Sequence, residues 1–179
     1  LINRSNEYDC YMAVKDLHIT EKIIYFDKES GYKISKFYDG SKNADAFNKE
    51  EMARCMELLR TLHETDVKVS HRFDIAERID YYTGLCEKSG GISFEDVEEV
   101  HKNMMLLLDL LKGMKSESRL CHIDSVADNF IITADNKIKL IDWEYAGMAE
   151  PIIDVAMCSI YSYYDKDEAN VLLERYLQR

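Results

Sequence analysis

The chain has 179 residues, of which 46% are hydrophobic and 11% aromatic, and this is sufficient for one compact domain with a sizeable core. Its single proline and seven glycines argue against long linkers and low-complexity segments. Because the net charge is -11 and the basic residues form no local cluster, the composition disfavours nucleic-acid binding and suits a cationic small-molecule substrate.

Cysteine usage and the apolar runs indicate the compartment. The five cysteines are dispersed and lack CxxC spacing, which is not typical of a disulfide framework. No apolar run reaches the roughly 18–20 residues that a membrane span requires, and no basic-then-apolar signal sequence opens the chain. We therefore expect reduced thiols in a cytoplasmic protein without a membrane span. The oligomeric state is not indicated by the sequence.

The first predicted elements are a helix and a β-hairpin. Residues 5–16 carry apolar side chains on one helical face, and Ser5 is the predicted N-cap. Two β-rich runs, 22–27 and 31–37, are separated by a short turn-forming connection, so they are predicted to pair as antiparallel strands. The polar segment 38–43 then leads into a more helical remainder, and we expect it to be an interlobe hinge.

Amphipathic helices dominate the rest of the predicted structure. Three are predicted over residues 48–63, 73–88 and 94–114, and two more after Pro151 and from about Lys166 to the end. The helix over 94–114 carries an apolar stripe that we expect to lie in the core. The members of this stripe are Val97, Val100, Met104, Leu107, Leu108 and Leu111.

The stretch between these two groups of helices carries chemically informative residues at the ends of short predicted strands. His122 and Asp124 form an HxD motif, and Asn129 follows after four residues. Asp142 ends the next strand. These are the residue types that phosphoryl transfer needs, namely a carboxylate for the attacking hydroxyl and hard oxygen ligands for Mg²⁺. Their order resembles the catalytic loop and the metal-binding Asp of the protein-kinase-like superfamily.

Neighbouring motifs make the resemblance more specific. Residues 142–145 read Asp-Trp-Glu-Tyr, which departs from the DFG of protein kinases and resembles the D-F-E-Y version of choline and ethanolamine kinases. Residues 150–156 resemble the start of the helix that carries a structural Asp in that family, and Leu62-His63 resembles its helix ending in Leu-His. The similarity covers nearly the whole chain from Ser5 and is greatest to bacterial choline kinases, within the aminoglycoside phosphotransferase group.

The resemblance implies an α/β (α+β) fold of the protein-kinase-like, two-lobed type. Residues 1–43 would form a truncated N-terminal β portion with the helix, the hairpin and the hinge. Residues 44–179 would form a mainly helical catalytic lobe. The implied cofactors are ATP and Mg²⁺.

The resemblance also implies roles for individual residues. Asp124 would be the catalytic base, His122 a scaffold of the catalytic loop, and Asn129 and Asp142 the Mg²⁺ ligands. The residues implied to contact the nucleotide site are Glu7, Phe37, Tyr38 and Asp39. Since the phosphate-binding loop and strand lysine of the family would precede Glu7, we expect residues 1–179 to hold an incomplete ATP site.

Choline is the acceptor that the resemblance favours. A quaternary ammonium has no N–H to donate, so proteins hold it with aromatic faces and carboxylates. The candidates for this contact are Trp143, Glu144, Tyr145, Tyr161, Tyr163, Tyr164 and Asp165. Packing within a helix is the alternative role for the tyrosines. Because relatives add aromatic residues from a C-terminal segment, we expect the choline pocket within residues 1–179 to be incomplete too.

Three other functions are compatible with the sequence. The acceptor could be ethanolamine, an aminoglycoside or a sugar. The chain could be a catalytically incomplete, kinase-like binding module. A metal-dependent hydrolase could be built from His122, Asp124, Asp128 and Asp142, although their spacing fits kinases better.

Overall fold

A computed structural model of the chain describes residues 2–114 and 117–178. Contacts divide the chain into a larger unit, Leu1–Phe73 with Ser118–Arg179, and a smaller unit, Asp74–Glu117. This division differs from the lobe boundary predicted at residue 43, which stays a prediction.

The larger unit begins with helix α1, Arg4–Val14. The side chain of Asn3 accepts the backbone N–H groups of Ser5 and Asn6 and is therefore the N-cap. The predicted cap at Ser5 was wrong because Asn3 supplies the acceptor two residues earlier. A short 3₁₀ turn, Lys15–Leu17, follows the helix.

The predicted hairpin is confirmed as strands β1, Ile23–Phe26, and β2, Lys33–Ser35, paired antiparallel. The segment that was expected to be a hinge ends in a short strand, β3, Lys42–Asn43, which pairs with β5, Phe130–Ile132. A strand of two polar residues has no alternating pattern, so the sequence did not indicate it.

Two further antiparallel pairs place the polar loops side by side. Strand β5 pairs with β6, Ile138–Leu140, and β4, Arg119–Cys121, pairs with β7, Gly147–Ala149. Strand β7 was not predicted because it lacks aromatic and β-branched residues. Cys121 is opposite Gly147 in this pair, so the loop that leaves β4 begins next to the segment that enters β7.

The predicted helices of the larger unit are confirmed as α2, Lys49–His63, α5, Ile152–Tyr161, and α6, Lys166–Leu177. Helices α2 and α5 both contact α6. The core between these helices and the strands is formed by fully buried side chains, among them Tyr11, Met56, Leu59, Leu62, Leu120, Phe130, Leu140, Trp143 and Cys158. Burial of each large apolar side chain contributes about 1.5–3 kcal/mol, which fixes the strands against α2 and α5.

The smaller unit contains helices α3, Ile75–Lys88, and α4, Val97–Gly113. The apolar stripe of α4 was expected in the core, but none of its members is buried in the described chain, and Leu107 is 61% exposed. Helical periodicity identifies an apolar face without specifying what covers it, and this explains the wrong prediction. Among the helices of the described ranges, none is both long and apolar enough to cross a membrane.

Candidate active site

The loop after β4 is held by the buried carboxylate of Asp154 on α5. One oxygen of Asp154 accepts the backbone N–H of His122 at 2.9 Å, and the other accepts that of Ile123 at 2.7 Å. Ile123 has φ of 72°, a left-handed conformation that β-branched residues rarely adopt. The carboxylate therefore stabilises an unfavourable backbone turn at the start of the candidate catalytic loop.

A second helix supports the same carboxylate. Nε2 of His63, at the end of α2, lies 2.9 Å from Asp154 Oδ2, and its Nδ1 lies 2.8 Å from the hydroxyl of Tyr176. Burial alone would raise the pKa of Asp154, but hydrogen bonds from His63 and the His122 N–H, with the nearby histidines, hold it below the usual value. The Leu-His end of α2 is thus coupled to the loop through Asp154.

His122 itself is fully buried. Its Nε2 donates to the carbonyl of Ile141 at 2.9 Å, and its ring packs edge-on against Trp143 with 4.9 Å between centroids. Burial lowers the pKa of His122, although the charges of Asp154 and Asp124 oppose this shift. A neutral imidazole with one nitrogen engaged by backbone supports a scaffold role for His122.

These two pKa shifts predict destabilisation by acid. Because the pKa of His122 is lowered on folding, the unfolded state takes up its proton first, and the free energy of unfolding should fall as the pH drops below about 6.5. The lowered pKa of Asp154 adds a further loss below about pH 4. Melting temperatures measured from pH 8 to about pH 3 test both losses, and a melting temperature that rises on acidification would contradict them.

Asp124 and Asn129 meet on the exposed side of the loop. Nδ2 of Asn129 donates to the backbone oxygen of Asp124 at 2.7 Å and to its carboxylate Oδ2 at 3.0 Å. The backbone oxygen of Asn129 in turn accepts the N–H of Ile141 at 2.9 Å. Both side chains are partly exposed. Asn129 therefore fixes the orientation of the Asp124 carboxylate and leaves its own Oδ1 available.

Asp142 follows β6 and has φ of 68°, which is unusual for a residue other than glycine. It is partly exposed, and in the described ranges its carboxylate has no hydrogen bond or ion pair. Its charge acts on both His122 and Glu144, which places it beside the loop. The carboxylate of Asp142 and the amide oxygen of Asn129 are hard, accessible donors, and they fit a Mg²⁺ ion.

Another set of potential metal ligands lies in the interior. His63, Cys121 and Asp154 form a buried group whose ligand atoms lie within 4.8 Å of one another. Each of these atoms already has a hydrogen-bond partner, so the group is explained as a structural network. No three of the residues suggested for a hydrolase form such a group within the described ranges, and Asp128 among them is exposed.

Glu7 lies in α1 and is 2% exposed. Arg4 Nη1 donates to its Oε2 at 2.7 Å, and Lys33 Nζ donates to its Oε1 at 3.1 Å. Arg4 Nη1 also reaches Glu144 Oε2 at 3.2 Å. Neither cation was predicted from the sequence as a partner of Glu7. Only the spacing of three residues between Arg4 and Glu7 could have indicated the first contact.

The other residues implied for the nucleotide site lie beyond the hairpin. Phe37 is 84% exposed, and Asp39 is exposed as well. Tyr38 is partly buried, and its hydroxyl accepts the N–H of Lys22 at 3.2 Å. Phe37 and Asp39 therefore offer open surface, whereas Tyr38 is partly occupied by the hairpin.

The candidates for the acceptor site are dispersed. Trp143 is fully buried and donates from Nε1 to the carbonyl of Leu140, so its expected substrate contact is wrong and its role is packing. Tyr145 packs with the cluster that includes Ile123. Tyr161 is 59% exposed, and Tyr164 is partly buried with its hydroxyl bonded to the Ala46 carbonyl.

Glu144 is an acceptor candidate whose charge interacts with that of the metal-ligand candidate Asp142. Burial raises its pKa, and the charge of Asp142 adds to the shift, while Arg4 opposes it. The structure thus brings Asp124, Asn129, Asp142 and Glu144 to one region. Tyr161 and Tyr164 lie around the end of α5 instead.

A mainly helical chain with short antiparallel sheets and an HxD loop, supported by a buried Asp on the next helix, defines a protein of the kinase-like class. The profile of the phosphotransferase enzyme family matches residues 29–179. The chain therefore belongs to this family.

Individual relatives agree with this assignment. Protein LicA of Haemophilus influenzae is 25% identical over 195 residues, which cover 98% of this chain and 52% of the relative. The crystal structure of choline kinase LicA from Streptococcus pneumoniae is 29% identical, with a TM-score of 0.89 over 99% of this chain and 63% of that chain. The crystal structure of LicA in complex with AMP is likewise 29% identical, with a TM-score of 0.88 over 99% of this chain and 62% of that chain. The chain thus spans between half and two thirds of these relatives.

Proposed function

We propose that this chain carries the reaction centre of an ATP-dependent small-molecule kinase that converts choline to phosphocholine. The observation that carries the proposal is the grouping of Asp124 and Asn129, on a loop anchored by Asp154, with Asp142, which follows β6 beside that loop. Membership of the phosphotransferase enzyme family and similarity to choline kinase LicA support the same reaction.

Each residue of this group has a distinct task in the proposed reaction. Asp142 and Asn129 hold Mg²⁺, which when bound neutralises charge on the phosphates. Asp124 accepts the proton of the choline hydroxyl and orients its oxygen for in-line attack on the γ-phosphorus, so that ADP leaves. Because the Asn129 amide fixes one carboxylate oxygen of Asp124, the other is directed to the substrate. Catalysis consists mainly of positioning and charge stabilisation.

Local charge supports a cationic acceptor. Asp124, Asp142 and Glu144 are partly exposed carboxylates of one region, and the chain as a whole has a net charge of -11. A quaternary ammonium is attracted by such a field without needing a hydrogen-bond acceptor. Tyr145 and Tyr161 remain the aromatic candidates for its methyl groups, with Tyr164 as a third. Trp143 is left out because it is buried.

The nucleotide side is supported by the AMP complex of LicA. In this proposal, Glu7 pairs with the phosphate-binding lysine that the family carries on a strand before this helix, and Phe37, Tyr38 and Asp39 border the adenine. The unpaired state of all five cysteines favours a reducing compartment, as expected for a cytoplasmic ATP-dependent enzyme.

Mg-ATP should stabilise the fold if this proposal is correct. A ligand that binds only the folded state at about 100 times its Kd adds about 2.7 kcal/mol to the free energy of unfolding. Thermal unfolding with Mg-ATP, with Mg²⁺ alone and with ATP plus chelator measures this. Choline-dependent ADP production should accompany it, in this chain or in a longer form if the gene encodes one.

The same assay distinguishes the possible acceptors from one another and a kinase from a binding module. A panel of choline, ethanolamine, an aminoglycoside and a sugar identifies the acceptor from the ratio of kcat/KM values. Faster turnover of another member of the panel would replace choline in the proposal. Absence of both Mg-ATP stabilisation and turnover in both forms would favour a binding module without nucleotide.

A further inference from the structure

One arginine side chain links three elements next to the candidate metal ligands. Arg4 Nη1 contacts Glu7 on α1 at 2.7 Å and Glu144, two residues after Asp142, at 3.2 Å. The Arg4 side chain also lies against the hairpin turn, where a Cβ added at Gly31 would be 2.8 Å from its Nε and 2.9 Å from its Cδ and Cγ. Helix, hairpin and the segment after β6 therefore meet at one guanidinium.

The contact with Glu144 joins parts of the chain that are 140 residues apart. Glu144 shares its short segment with Asp142, whose backbone has φ of 68° and whose carboxylate has no partner within the described residues. The neighbouring Trp143 side chain is fixed in the core. The Arg4–Glu144 pair is thus a side-chain contact between this segment and α1 at Glu144, in addition to the contact between the Tyr11 and Trp143 rings.

We propose that Arg4 is a positioning residue that holds the segment Asp142–Glu144 in the conformation that binds the metal–nucleotide complex. This inference rests on the proposed function and assigns no contact between Arg4 and substrate. Arg4 acts through Glu144, which lies two residues after the candidate metal ligand Asp142, so its effect on the ligand passes through the backbone of this segment.

The effect of charge can be separated from the effect of positioning, because the Arg4–Glu144 pair contains one positive and one negative side chain. Arg4→Gln makes the region more negative, and Glu144→Gln makes it less negative. If the pair acted only through its field, the two variants would change affinity in opposite directions, whatever the sign of the ligand. If the pair positions the segment, both variants weaken binding.

The test uses Mn²⁺ with the non-hydrolysable nucleotide adenylyl imidodiphosphate and the full chain. Water proton relaxation reports the Kd of the bound Mn²⁺–nucleotide complex without any turnover. We expect Arg4→Gln and Glu144→Gln each to raise this Kd by about 10- to 100-fold, the range found for partners of metal ligands. The double variant should be little worse than either single variant, because both remove one interaction.

Lys28→Met is the matched control. Lys28 Nζ pairs with Asp9 at 2.9 Å and so also links the hairpin region to α1. Within the residues that the structure describes, it contacts Asp9 and the Tyr8 ring and not residues 142–144. The Kd of the Mn²⁺–nucleotide complex for Lys28→Met should equal that for the wild type. If Arg4→Gln does not fold, Glu144→Asp replaces it, since the shorter side chain draws its carboxylate away from Arg4 and leaves every charge in place.

The outcomes are distinct. Opposite changes in the two single variants, or an unchanged Kd in both, would overturn the positioning role while leaving the proposed function intact. A wild-type chain that binds no Mn²⁺–nucleotide complex, in this form or a longer one, would overturn both proposals.

Discussion

Asp124→Asn should lower kcat by roughly 10²–10⁴-fold, the range that general-base catalysis contributes. The substitution removes the proton acceptor but keeps the size and one oxygen of the side chain, so the hydrogen bond from Asn129 can persist. The KM for ATP and the Mg²⁺ concentration needed for half-maximal rate should change little. Steady-state kinetics with choline and Mg-ATP, in whichever form of the protein turns over, measure all three quantities.

The neighbouring carboxylate provides the control for this experiment. Asp128 lies in the same loop, is exposed, and holds Asn43 through its backbone oxygen and not its side chain. Asp128→Asn should therefore retain wild-type kinetics. If Asp124→Asn instead recovered at high Mg²⁺, Asp124 would be a metal ligand and not the base. A near wild-type kcat would remove it from the reaction altogether.

Asp154→Ala should destabilise the larger unit by at least about 3 kcal/mol, because three buried donors lose their acceptor and each unsatisfied donor costs about 1–3 kcal/mol. The donors are the backbone N–H groups of His122 and Ile123 and the imidazole of His63. Loss of the bond at Ile123 also releases its left-handed backbone, so the catalytic loop should change conformation. Urea unfolding measures the change in free energy.

Ser159→Ala on the same helix is the comparison for Asp154→Ala. The Ser159 hydroxyl donates only to the carbonyl of Val155 within α5, so its loss leaves no buried donor unsatisfied. The midpoint of urea unfolding of Ser159→Ala should lie close to that of the wild type. Equal midpoints for Asp154→Ala and Ser159→Ala would show that Asp154 does not anchor the loop.

The sequence by itself determined the helices, the hairpin and the class of chemistry. Their local patterns carry the information, since α2 has a helical period with Asn48 as its cap, and the HxD motif is followed by Asn129 and Asp142 in the order typical of kinases. For the same reason, family membership could be predicted from residues 122–156. A pattern of this kind is local, and it does not require knowledge of what each element packs against.

Contacts between distant residues were decided only by the tertiary structure. The partners of Asp154, the Arg4–Glu144 pair and strand β7 depend on which segments meet in space, and no periodicity encodes this. Trp143 shows the same limit, because a motif position predicted a substrate contact and close packing placed the ring in the core. Local spacing thus specified which residues could react, while burial and long-range pairing decided how they are held.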